Sequence, residues 1–109
     1  MIIRNADVEP KQLDQKASRK VLGTGGSLMM VEVAFKKGGV GEVHAHEGHE
    51  QASYIVKGSF EVVVGSEKKV VTAGDSFYAG LNVPHGVTAL EDSVILDVFT
   101  PIREDFLEK

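Results

Sequence analysis

The 109-residue chain contains no cysteine. That excludes a disulfide framework, a thiolate metal site and a thiol nucleophile, so any metal here must be held by nitrogen and oxygen. Basic runs are missing as well, none being longer than Lys36-Lys37 or Lys68-Lys69. Twelve basic residues stand against sixteen acidic ones, a net charge of −4, and a nucleic-acid partner would need a basic face. No apolar run approaches the roughly 20 residues that cross a bilayer. Met1-Ile2-Ile3-Arg4-Asn5-Ala6-Asp7 has no signal-like apolar core. The expectation is a cytoplasmic enzyme or binding protein with no nucleic-acid and no membrane partner. Gly25-Gly26, Gly38-Gly39 and Gly74-Asp75 open no helix, so they read as turns and not as phosphate loops.

Helical periodicity is nearly absent too, and what replaces it is a succession of short β-type segments. One domain over 1–109 is the expectation from length. Residues 1–15 read as an extended arm plus a loop. The segment 16–22 reads as a strand ended sharply by Gly23-Thr24-Gly25-Gly26. Ser27 to Phe35 reads as a strand buried on much of both faces, with Met29-Met30 as core or interface filling. Strands follow at 53–56, 60–64, 69–72, from 77, and at 87–90 and 93–99. Gly65-Ser66-Glu67-Lys68 marks a hairpin, and 103–107 one helical turn. Turn signals every 6–12 residues predict an all-β sandwich or barrel.

Three of the four histidines fall within His44-Ala45-His46-Glu47-Gly48-His49, and the fourth follows Pro84 in Asn82-Val83-Pro84-His85-Gly86. On an extended chain His44 and His46 share a face. Two adjacent imidazoles suit a first-row divalent ion. Further ligands must come from elsewhere, and His85, whose direction Pro84 would fix, is the remaining histidine outside the cluster. Asp97 interrupts the apolar run Val94 to Phe99 and shares a face with Ile95 and Phe99. Either that face is wet, or Asp97 is a carboxyl of raised pKa fit for proton transfer. Arg103, one of three arginines, is either a surface charge or a carboxylate receptor at the same end. His49 reads as an exposed loop histidine, the alternative being a group that supports the metal ligands or touches substrate.

The spacing resembles the two motifs of the cupin superfamily. Gly38, five residues, His44-x-His46, four residues, Gln51, six residues and Gly58 follow the first motif, with Gln51 where a glutamate is usual. Gly74 and His85 match the second, in which Gly80, Asn82 and Ala89 replace proline, glycine and asparagine. The motifs cover 38–58 and 74–89. The neighbouring Glu50 is the alternative to Gln51; the spacing to Gly58 selects Gln51. The resemblance implies a small single-domain jelly-roll β-barrel with a metal inside. Asn82-Val83-Pro84-His85-Gly86, Leu90 to Pro101 and Arg103-Glu104-Asp105-Phe106 further resemble the KdgF-type pectin-degradation cupins, which also carry glutamine in the first motif.

What that resemblance implies is metal-dependent ring opening and ketonisation of 4,5-unsaturated uronates to linear 5-keto-4-deoxyuronate. Its metal ligands fall on His44, His46, Gln51 and His85, its catalytic acid on Asp97, and its substrate contacts on Phe99 and Arg103. A neutral ligand set leaves the ion its full charge and favours an anionic ligand. The ion would be Zn, Ni, Mn, Fe or Co, the partner a small sugar acid, and the assembly a homodimer. Two other classes are a metal-dependent dioxygenase, disfavoured by the missing carboxylate ligand, and a non-catalytic sugar-binding domain.

Overall fold

The structure, a computed structural model, describes residues 1–107. Among these described residues, ten strands form two antiparallel sheets. In chain order they are β1 (Lys11–Asp14), β2 (Ala17–Gly25), β3 (Leu28–Phe35), β4 (Val40–His44) and β5 (Glu50–Lys57). After them come β6 (Ser59–Val64), β7 (Glu67–Thr72), β8 (Ser76–Ala79), β9 (His85–Ala89) and β10 (Ser93–Thr100). Short 3₁₀ turns cover Asn5–Asp7 and Glu104–Leu107. The larger sheet runs β1-β2-β3-β10-β5-β8 and the smaller β4-β9-β6-β7. Consecutive strands pair at β1-β2-β3 and β6-β7, while β3-β10, β10-β5, β5-β8, β4-β9 and β9-β6 join distant parts of the chain, as in a jelly roll.

Period-2 alternation decides what faces inward. On β5, Gln51, Ser53 and Ile55 are buried, whereas Glu50, Ala52, Tyr54 and Val56 are exposed. On β10 the inward set is Ser93, Ile95, Asp97 and Phe99. Register places Asp97 beside Ser53 on one side and Val31 on the other, with Phe99 beside Gln51. Ile55, Phe60, Phe35 and Ile95 fill the space between the sheets, each burial contributing roughly 1.5–3 kcal/mol. A second cluster of Met29, Val31 and Phe99 closes one end, with Ile102 and Phe106 packed over it.

Three expectations need correction. Residues 11–14 are a strand and not a loop, because β1 pairs antiparallel with β2. β2 continues to Gly25, its register shift between Val21 and Thr24 absorbing the glycine that reads as a stop. β3 is buried on one face only; Met29 and Val31 are fully inside, while Met30 on the other face is 37% exposed.

The turns follow local chemistry. Gly38, Gly58 and Gly74, all motif glycines, have φ of +84°, +81° and +96°. At Gly58 a side chain would also collide with Ser93 Oγ and the Asp92 carbonyl, so only glycine fits. Asn82, standing where the motif has glycine, adopts φ +62°, a conformation that asparagine tolerates better than most residues. Its N–H donates to the His46 carbonyl at 2.7 Å, tying the two motif segments together.

Candidate metal centre

His44 ends β4 and His85 begins β9, and the two residues are register partners across the smaller sheet. His46 leaves the end of β4 and returns over the same spot. The Nε2 atoms of His44 and His46 lie 3.0 Å apart, and the His85 ring centroid is 4.6 Å from that of His44. Ligand atoms of the three rings all lie within 4.8 Å of one another. Two nitrogens about 2.1 Å from one ion lie at most about 4.2 Å apart, so shifts of a few tenths of an ångström suffice.

The hydrogen bonds around the rings fit a cation. His44 Nδ1 donates to the Glu42 carbonyl at 2.6 Å and His85 Nδ1 to the Val83 carbonyl at 2.9 Å. In a neutral imidazole this leaves each Nε2 as a lone pair. His85 Nε2 faces Gln51 Oε1 at 3.1 Å. Gln51 is held in that orientation because its Nε2 donates to Ser53 Oγ at 3.0 Å, and Ser53 Oγ donates in turn to Asp97 Oδ1 at 2.6 Å. Two acceptors therefore point at one another in a buried site, an arrangement that a positive ion between them resolves. Two of the imidazoles are also biased toward the neutral form. Burial, with the charges of Arg103 and the neighbouring histidines, pushes His46 down to about 4, and burial also lowers His85. Neutral rings are what an ion needs. The residues fit a divalent metal.

Glu50 faces the other way. Its carboxylate accepts from the Tyr78 hydroxyl at 2.8 Å on the outer face, so Gln51 is the side chain that meets the histidines. His49 departs from its expected exposure. It is half-buried, its Nδ1 lies 3.0 Å from the Pro101 carbonyl and its ring packs edge-on against His46.

Beside the histidines opens a small pocket of about 140 Å³. His44, Gln51, His85, Asp97, Phe99 and Arg103 line it. The alternative of a solvent-exposed Asp97 face is thereby removed: the carboxyl looks into the pocket. Burial pushes Asp97 up to about 6, opposed by its hydrogen bond from Ser53 and by the charges of Arg103 and His44. Arg103 is no loose surface charge either. It lies over Phe106, 4.0 Å from guanidinium carbon to ring centroid, and pairs with Asp105 at 3.0 Å. Ser53, Arg19 and Phe106 have places in this site that the sequence reading did not give them. Ser53 was detectable as the inward neighbour of Gln51, and Arg19 as the inward charge between Ala17 and Val21.

An antiparallel jelly roll with a histidine triad, an amide and an acid around one pocket is a small β-barrel with a candidate metal centre. The chain belongs to the cupin-domain family, whose model matches residues 31–99. It is 44% identical over 98 residues to the pectin degradation protein KdgF of Dickeya dadantii, covering 89% of both chains. Among solved structures it is similar to KdgF from a Halomonas species, with 37% identity, 97% of each chain covered and a TM-score of 0.94. An RmlC-like cupin from Shewanella frigidimarina matches with 40% identity, 96% and 94% coverage and a TM-score of 0.92.

Proposed function

We propose that this protein opens and ketonises 4,5-unsaturated uronates in a metal-dependent isomerisation, giving linear 5-keto-4-deoxyuronate. The observation that carries the reading is the proton-competent Asp97, joined through Ser53 and Gln51 to the histidine cluster and open to one pocket. The likeness to KdgF supports the pectin-derived class of substrate. His44, His46, His85 and Gln51 would hold a divalent ion, which supplies Lewis-acid polarisation of the substrate's oxygens when bound.

In this reading Asp97 takes the proton of the anomeric hydroxyl. The C1–O5 bond breaks as C1 becomes a carbonyl, and the electron pair goes to the former ring oxygen, giving an enolate across C4 and C5. Asp97 then returns the same proton to C4, and the enolate becomes the C5 ketone. The sequence is redox-neutral. A carboxyl near 6 suits both steps at neutral pH. Arg103 neutralises the substrate carboxylate, and Phe99 packs on the sugar and keeps water out. The protein would act as a cytoplasmic homodimer; Met30, Tyr54, Val56 and Tyr78 leave an apolar outer face on the larger sheet, and β1 leaves a free edge.

Asp97→Ala tests the assignment. Turnover of the unsaturated monomer should fall at least about 100-fold with bound metal unchanged, whereas His46→Ala and His85→Ala should lower metal content. Full activity in Asp97→Ala would remove the acid from the mechanism.

A further inference from the structure

Arg19 stands on β2 between Ala17 and Val21, opposite Val33, at an inward position of the larger sheet. It lines the same pocket as Asp97 and Arg103. Its guanidinium carbon lies 3.9 Å from the Phe106 centroid, and that of Arg103 lies 4.0 Å from the same centroid. Two like charges thus converge on one ring. Arg103 is compensated by Asp105 at 3.0 Å. Among the described residues, no carboxylate lies within ion-pairing distance of Arg19, and no side-chain hydrogen bond uses its N–H groups. Stacking on Phe106 employs the face of the cation and leaves its donors free. Two guanidinium groups share one carboxylate, Asp105, whose charge is felt at Arg19 as well, and together they keep a net positive charge.

We infer that Arg19 is a second anion-recognising residue of this pocket, which together with Arg103 sets its preference for a carboxylate-bearing sugar over a neutral one. The inference rests on the uronate reading above and deepens it. A partly desolvated guanidinium with unspent donors is matched by a planar carboxylate, which can accept two parallel hydrogen bonds. Phe106, on the C-terminal 3₁₀ turn, is the platform that holds both arginines at the mouth. Arg103 then stands nearer the histidines, where its charge is felt by His46 and Asp97, and Arg19 marks the pocket's second polar corner.

The test is binding and not turnover. The metal-loaded protein is titrated by calorimetry with D-galacturonate and with D-galactose. The parent should favour the acid by about 10-fold or more, the scale of one charge-assisted contact. Arg19→Gln should lose most of that preference, Arg103 keeping the rest, while binding galactose and metal as the parent does. Arg19→Lys should restore part of it, which a purely packing role would not produce. Asp105→Asn, by releasing Arg103, should increase galacturonate affinity several-fold. Parent-like discrimination in Arg19→Gln overturns the inference and leaves the uronate reading intact. A parent protein without any preference for the acid overturns both.

Discussion

Asp97 combines a cost to the fold with a use in the site. Its carboxyl ionises near pH 6 in the folded protein against an ordinary 3.8, so the native state holds the proton more tightly than the unfolded chain. That contribution to stability is fully present below pH 3.8 and is lost as pH rises through about 6. The shift of about 2 pH units corresponds to roughly 3 kcal/mol at neutral pH. Asp97→Asn should therefore stabilise the metal-free protein by about 1–3 kcal/mol at pH 7.5 and little at pH 4, while abolishing turnover. Urea unfolding at the two pH values checks this, and a destabilised variant would show the ionised carboxylate to be well compensated. Ser53 acts through its neighbours. With its hydroxyl removed, Gln51 loses the acceptor that aims Oε1 at His85. Ser53→Ala should weaken metal binding by about 10–100-fold, measured by competition with a chelator.

Strands place these groups, and turns place the strands. Gly58 lets β5 and β6 meet at a backbone angle closed to other residues, against Ser93. Gly58→Ala should cost at least about 2 kcal/mol, read as a lower urea midpoint at unchanged slope; a parent-like midpoint would mean the turn relaxes freely. The same period-2 alternation made much of this site legible in advance. It put Asp97 with Phe99 and separated Gln51 from Glu50, and the six-residue step to Gly58 chose between the latter two. Spacing in the chain could not show that Asp97 meets Ser53, because that contact depends on the register of β5 against β10, 44 residues apart. Nor could it place Arg19. That side chain becomes part of the pocket only when the C-terminal turn folds back and lays Phe106 against it. β1 was missed because its four residues are all exposed and carry no apolar alternation to announce a strand.

At the scale of the whole molecule, two sheets bring the first strand and the last turn to one pocket. Leu13 from β1 and Phe106 from the last turn line it together with His44, Gln51, His85 and Asp97. The histidines come from the smaller sheet and its loop, and Gln51, Asp97 and Phe99 from the larger. A site made at the junction of both sheets suits a reaction that needs only orientation, polarisation and one mobile proton. The central claim is the joint action of the metal centre and Asp97 on an unsaturated uronate. It is tested most directly by following the ring signals of the cyclic unsaturated monomer by NMR, with and without metal-loaded protein, against the rate at which the monomer opens unaided. The account predicts accelerated loss of the ring signals, growth of the linear ketone, and return to the unaided rate when a chelator is added. A rate equal to that of the blank, with metal bound and the fold intact, would contradict it.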